Sequence, residues 1–303
     1  MINNTCEELS ISPLIRWAGG KRQIVNQLTN YLPQDFNTYF EPMIGSGAMF
    51  FALKPTSAVV ADLNPELVNF YKVIKIMPED FYNSVDQLKA SKTTYYRIRN
   101  EAPLSPLARA VRFFYLIRLS WNGLYRVNKL GNFNVPFGGR QPKELIALGS
   151  VLNISNKLKN TRLVCGDFES TTEMAKRGDL VYFDPPYPKG ATYNNGFARY
   201  HETGFNFEDH ERLAKYARQL MSKGVHVLIT EAATHRLLNL YKADFHIRLV
   251  RSKSLIAADS DHRRVVYESI ITSYPIMHST EKHRLRSCLV RAPAGDLKTR
   301  GHL

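Results

Sequence analysis

Residues 37–64 read NTYFEPMIGSGAMFFALKPTSAVVADLN. Tyr39 and Phe40 make a short apolar run that ends on Glu41-Pro42, and Gly45 and Gly47 punctuate the turn that follows. The turn opens AMFFAL, which reads as a buried helix. A second apolar run, AVVAD, ends on Asp62, and Asn64-Pro65 starts another helix in PELVNFYKVIK. Strand, glycine turn, helix, strand is the order that lays two strands parallel with the helix across them. The expected class is α/β with a parallel sheet.

Outward from this unit the rhythm changes and then returns. Upstream, KRQIVNQLTNYL puts Ile24, Val25, Leu28 and Leu32 on one helical face. Downstream, residues 77–149 read as helices rich in Tyr, Phe and Arg, followed by VNKLGNFNVPFGG, a hairpin or exposed loop with turn residues between short apolar runs. TRLVCGDF, DLVYF, VHVLIT and VVYESIITSY are further strands, and EDHERLAKYARQLMSKG is an amphipathic helix stopped by Gly224. The expected organisation is a sheet-bearing domain from residues 1–76 and 150–276, with an insertion at 77–149. Residues 277–303 read as a basic, disordered tail.

Of 303 residues, 44% are apolar and 22% charged, which is ordinary for a globular protein and argues against general disorder. The net charge of +14 is not ordinary, and favours a polyanion partner, nucleic acid above all. Cys6, Cys165 and Cys288 are odd in number and widely spaced, with neither disulfide nor metal-ligand spacing. A reducing cytoplasm and no bound metal are the expectations. MINNTCEELS lacks a secretory pattern, and no apolar run reaches the length of a membrane span.

Three stretches carry chemistry. Glycines after the first strand let backbone approach a ligand at the carboxyl ends of a parallel sheet, although the spacing is not that of a dinucleotide site, and a plain turn is an equal reading. Asp62, at the end of the second strand, suits the hydroxyls of a ribose, with a helix N-cap as the alternative. The third stretch is LVYFDPPYP, residues 180–188. Prolines cannot extend a central strand, so Asp184-Pro185-Pro186-Tyr187 is at least a turn. It also suits a ring bearing an amine. The N6 lone pair of adenine is delocalised into its ring, and two acceptors on the amine hydrogens draw it back: the Asp184 carboxylate and a carbonyl of the turn. Pro185 and Pro186 have no N–H to compete for those acceptors, and Tyr187 offers a stacking face. In duplex nucleic acid such a base must be flipped out.

RWAGGKR (16–22), FEPMIGSGAMF (40–50), ADLN (61–64), WNGLYRVNKLGNFNVPFG (121–138) and DPPY (184–187) occur in that order. Together they resemble the Dam-like, D12-class DNA adenine-N6 methyltransferases over about residues 13–275. The resemblance implies a Rossmann-like sheet binding S-adenosylmethionine, with an inserted, mainly helical target-recognition domain carrying a hairpin loop. It implies that Trp17 and Lys21 contact the methionine end of the cofactor, Gly45 and Gly47 line its pocket, and Asp62 takes the ribose. Asp167 of CGDF falls beside the cofactor's adenine, and Asp184 belongs to both the cofactor and the catalytic site. From the residues alone, Trp17 reads as core packing, Lys21 as a surface charge at a helix start, and Asp167 equally well as a plain carboxylate.

For DNA, the resemblance brings Trp121 and Asn122 to the flipping site and has Arg126 read a guanine. Arg126 can do so through two bonds to O6 and N7, worth roughly 1–3 kcal/mol of discrimination. Asn134 of the same stretch joins the DNA-binding set. Trp121 replaces the Tyr common in relatives, and Arg16 stands where they often carry a DNA-contacting Lys. The implied target is GATC, although GRQPKEL after the hairpin departs from the family. Residues 190–201 read as a loop over the flipped base or a connector. Residues 251–268 read as a late basic loop whose Arg251, Lys253, Arg263 and Arg264 suit phosphates. The expected partner is double-stranded DNA, bound by a cytoplasmic monomer of bacterial or phage origin, with or without a cognate restriction nuclease. An RNA adenine, cytosine-N4 or protein methyltransferase and a non-catalytic DNA-binding relative are the competing readings.

Overall fold

The computed structural model describes residues 13–187, 205–253 and 265–276. In chain order the elements are α1 (Val25–Leu28), β1 (Tyr39–Glu41), α2 (Ala48–Leu53), β2 (Ala58–Asp62), α3 (Pro65–Ile76), α4 (Pro78–Asp86), α5 (Lys92–Asn100), α6 (Pro106–Leu119), α7 (Leu148–Leu158) and β3 (Thr161–Cys165). Then follow α8 (Phe168–Thr172), β4 (Leu180–Phe183), α9 (Phe207–Ser222), β5 (His226–Ala232), α10 (His235–Leu238), β6 (His246–Lys253) and β7 (Val265–Thr272).

The seven strands form one sheet in the order β3-β2-β1-β4-β5-β7-β6. The first five are parallel, and β7 runs antiparallel to both β5 and β6. The α/β, Rossmann-like expectation therefore holds. β4 is buried along its whole length, as a strand covered on both faces must be, and its sequence LVYF is accordingly apolar throughout. Side chains alternate between the faces. Tyr39, Val60, Tyr182 and Leu228 face a core shared with α3, α4, α6 and α7, whereas Phe40, Val181, Phe183 and Ile229 face one built with α8 and α9.

The chain goes from β1 outward to β2 and β3, then returns to place β4 on the other side of β1. That reversal leaves a crevice outside the carboxyl ends of β1 and β4, the place where open α/β sheets bind ligands. Glu41 ends β1, Asp184 follows the last residue of β4, and Asp62 ends the neighbouring β2.

The helices of 78–119 pack onto the sheet's first face and share its core. Phe70 of α3 lies 5.7 Å from Phe81, 5.5 Å from Phe113 and 6.1 Å from Phe114, ring centre to ring centre. Deleting one such ring costs about 3–5 kcal/mol. After α6 the chain forms a 3₁₀ turn at Trp121–Gly123 and then an open hairpin held by bridges Val127↔Phe133 and Ser120↔Phe137.

Two local expectations need correction. The apolar face expected across residues 21–32 forms only α1 and a 3₁₀ turn at Thr29–Tyr31, because one buried residue in that short helix, Leu28, gives little packing to prolong it. The stretch expected as a late basic loop begins and ends in strand: Arg251 pairs with Tyr267 across β6 and β7, and Lys253 with Val265. Arg263, Arg264, the 190–201 segment and the 277–303 tail lie outside the described residues.

Candidate active site

Asp184 directly follows the last residue of β4, and its side chain is 17% exposed. Two donors converge on one of its oxygens. Lys21 Nζ lies 2.8 Å from Oδ1, and the Thr230 hydroxyl of β5 donates to the same Oδ1 at 2.8 Å. Tyr182 O–H lies 3.0 Å behind Thr230, so Tyr182, Thr230 and Asp184 form a chain of hydroxyls ending on the carboxylate. Lys21 and Thr230 thus anchor the carboxylate through Oδ1 at the mouth of the crevice. Burial pushes the Asp184 carboxyl up from its ordinary range, and Lys21 and Thr230 offset this only in part.

Lys21 is buried, contrary to its reading as a surface charge at a helix start. A tight turn, in which Gly20 N–H donates to Trp17 O, folds the WAGGK stretch back so that the lysine points inward. Its ammonium donates to Gly19 O at 2.8 Å, approaches Glu268 Oε2 at 3.6 Å, and stands 4.4 Å from the centre of the Tyr187 ring. Burial alone lowers a lysine's pKa, but Asp184 and Glu268 outweigh it and hold Lys21 above its usual value. The Tyr187 hydroxyl donates to Glu268 Oε2 at 2.7 Å.

The glycine turn lies alongside. Gly45 and Gly47 both have positive φ, +47° and +72°, which favours glycine. Their missing side chains serve the protein's own rings: a Cβ on Gly45 would stand 2.7 Å from Trp17, and one on Gly47 2.5 Å from Phe51. Asp62 accepts from Gly45 N–H at 3.1 Å and Asn64 N–H at 2.9 Å, so it ties the turn to the end of β2. The N-cap of α3 is Asn64, not Asp62. Burial raises the Asp62 carboxyl to about 6. Leu63, beside it, is 71% exposed.

Asp167 caps α8 and is gripped by Arg212 through two bonds of 2.8 and 2.9 Å, which hold its carboxyl below the ordinary range. It sits at the end of β3, one residue beyond Gly166, whose N–H reaches Asp62 O. Its side chain is thus committed within the protein, while its position borders the same crevice.

The 121–138 stretch reaches the crevice through Trp17. That indole stacks on Tyr125 with ring centres 5.7 Å apart, and Tyr125 meets Phe133 at 5.7 Å. Arg16 packs under the 3₁₀ turn, where a Cβ on Gly123 would lie 3.0 Å from the arginine's own. Trp121 is 39% exposed, and Asn122 adopts the left-handed φ of +54°. On the hairpin, Arg126 Nε donates to Asn134 Oδ1 at 2.7 Å, so two residues picked out separately form one unit. Arg251 lies on β6, exposed and on the other side of β5 from Asp184.

Sequence reasoning passed over Thr230 and Glu268, and gave Glu41 no role. Each is a polar residue inside an apolar strand pattern, and only the pairing of β5 and β7 beside β4 brings Thr230 and Glu268 to Asp184. Glu41 is 2% exposed and accepts the Tyr39 hydroxyl at 2.8 Å. Burial pushes its carboxyl up to about 8, so it is neutral at pH 7.

The profile of the D12 class N6 adenine-specific DNA methyltransferases matches residues 17–255. The chain is 37% identical over 278 residues to the type II methyltransferase M1.LlaDCHI of Lactococcus lactis subsp. cremoris, spanning 88% of this chain and 97% of that protein. It is 33% identical over 291 residues to the type II methyltransferase M.MjaIII of Methanocaldococcus jannaschii, spanning 88% and 100%. To the DNA adenine methylase of Escherichia coli K12 it is 31% identical over 276 residues, spanning 88% and 97%. The matched span takes in the glycine turn, Asp62, residues 121–138 and Asp184 alike, and the chain belongs to the D12 class of N6 adenine-specific DNA methyltransferases.

Proposed function

We propose that the enzyme takes its methyl group from S-adenosylmethionine and delivers it to N6 of an adenine flipped out of duplex DNA, with GATC as the target. The observation that carries this reading is Asp184 just past the end of β4, anchored through Oδ1 by Lys21 and Thr230. When bound, the cofactor supplies an electrophilic methyl on a sulfonium. The residues lining the crevice suit it: Asp62 to accept from the ribose hydroxyls, exposed Leu63 for an apolar ring face, and Lys21 with Trp17 near the methionine end. Gly45 and Gly47 shape the turn between these groups, and Asp167 borders the adenine end.

Asp184 Oδ2 accepts one hydrogen of the target amine and a carbonyl of the DPPY turn the other, which returns the lone pair to nitrogen. The amine exchanges one proton for the methyl, and Asp184, its pKa raised by burial, takes that proton at Oδ2. Pro185 and Pro186 keep the turn free of competing N–H groups, and Tyr187 holds the base by stacking. Trp121 and Asn122 occupy the gap the base leaves, and Arg126, steadied by Asn134, reads a guanine edge. Arg16 and Arg251 engage the DNA backbone. The enzyme acts as a monomer in the cytoplasm.

The test is transfer of labelled methyl to unmethylated plasmid DNA, with the product mapped at base resolution. N6-methyladenine in GATC is the expected result. A different fixed motif would overturn the target, and no transfer to DNA would overturn the activity. Asp184→Ala should reduce transfer at least a hundredfold while cofactor binding stays measurable, since it removes the acceptor on the reacting amine. Near-normal turnover would remove Asp184 from the mechanism.

A further inference from the structure

Glu268 belongs to β7, more than eighty positions from the DPPY turn in sequence, and its side chain is 12% exposed. One of its oxygens, Oε2, does two things: it accepts the Tyr187 hydroxyl at 2.7 Å and lies 3.6 Å from Lys21 Nζ. Lys21 in turn covers one face of the Tyr187 ring at 4.4 Å. Lys21, Tyr187 and Glu268 therefore touch pairwise, and Lys21 carries the contact on to Asp184 at 2.8 Å.

We infer that Glu268 is a positioning residue for methyl transfer: it fixes the Tyr187 ring by its hydroxyl, so that the ring presents the face opposite Lys21 to the target base. This rests on the reading of Tyr187 as the stacking platform. The physical case has three parts. Tyr187 stands four residues past the end of β4, beyond the reach of that strand's pairing with its neighbours. A short bond from a phenol to a carboxylate is among the stronger hydrogen bonds, and it comes from a strand held in place by β5 and β6 on either side. The ring's other face is taken by an ammonium that cannot leave without exposing two carboxylates to each other. A ring so held has one face to offer and one orientation to offer it in.

The test is a mutant cycle on a duplex carrying 2-aminopurine at the target position, alongside methyl transfer on the unmodified duplex. Tyr187→Phe keeps the ring and loses only the hydroxyl, so it probes the same bond from the other end. Tyr187→Phe and Glu268→Ala should each slow single-turnover transfer about ten- to a hundredfold, the range for removing a bond to a charged acceptor. They should change 2-aminopurine emission alike, and the double variant should be no slower than the slower single one. Glu268→Gln keeps an acceptor for the phenol and should recover most of the rate. Cofactor affinity should stay within about threefold throughout.

Multiplying effects in the double variant would overturn the inference, because the two residues would then act separately. So would a Glu268→Gln as slow as Glu268→Ala, which would make the charge on Lys21 the point instead. If Glu268→Ala unfolds, Tyr187→Phe combined with Glu268→Gln still decides between shared and separate action. Failure of the wild type to raise 2-aminopurine emission or to methylate adenine would instead strike at the proposed function, leaving the Glu268–Tyr187 question apart.

Discussion

Glu41 shows how much a single buried group controls. Burial pushes its carboxyl up to about 8, although the Tyr39 hydroxyl and the Phe50 backbone N–H both bond to it. Between the ordinary glutamate value and pH 8 the folded protein holds a proton that the unfolded chain has released. Folding stability is therefore full at low pH and falls as pH rises through that window. Asp62, raised to about 6, adds a loss of the same sign over the lower part of it. Between about pH 5.5 and pH 8, Glu41 alone accounts for roughly 3 kcal/mol at 1.4 kcal/mol per pH unit. Glu41→Gln keeps an acceptor for Tyr39 and has no proton to lose. Urea unfolding at the two pH values should show a slope in the wild type that this substitution largely removes. An unchanged slope would mean that Glu41 is already ionised in the folded protein.

At the scale of elements, the parts best legible in the sequence were those whose signals are local. Asn64-Pro65 announces α3 because the asparagine side chain accepts from Glu66 and Leu67 N–H while proline fits the first turn. Gly224 ends the helix that Asn206 and Asp209 begin with reciprocal bonds, and LVYF can only be a strand covered on both sides. What stayed hidden depends on which strands become neighbours. β7 could be recognised as a strand, but nothing in VVYESIIT says that it inserts between β5 and β6 and so delivers Glu268 to Tyr187. β6 was obscured because its exposed polar residues read as a loop. The hairpin lies between these cases. Its turn residues are plain in the sequence, whereas the bond from Arg126 to Asn134 depends on their meeting across it. That bond occupies Arg126 Nε and aims the guanidinium. Asn134→Ala frees the arginine to swing, and should reduce discrimination at the guanine proposed for Arg126 by about fivefold, the worth of one ordinary hydrogen bond. Methylation rates on duplexes altered one base pair at a time measure this. A loss spread evenly over all positions would make Asn134 a contact to the DNA backbone.

At the scale of the whole molecule, a net charge of +14 says that a polyanion is expected but not where it lies. The fold supplies an answer through four exposed arginines from separate stretches. Arg16 and Arg22 flank the WAGGK turn, Arg118 ends α6, and Arg140 follows the hairpin. The bond from Gly138 N–H to Leu119 O at 2.8 Å brings the last two stretches together, and Arg16 packs beneath Gly123. Partial burial and then the repulsion of Arg140, Arg118 and Arg22 lower the Arg16 pKa, so the four act as one positive surface. Such a surface disfavours the free protein slightly and is relieved when phosphates enter it. Two results follow for Arg118→Ala and Arg140→Ala. Each should weaken binding to cognate and unrelated duplexes by a similar factor. Each should also make the slope of log affinity against log salt shallower by about one for every phosphate no longer neutralised. The measurement is a salt titration of binding on both duplexes. Discrimination that changes while the slope does not would place these arginines at base edges. Unchanged affinity on both duplexes would move the DNA track away from the face that joins the WAGGK turn to the hairpin.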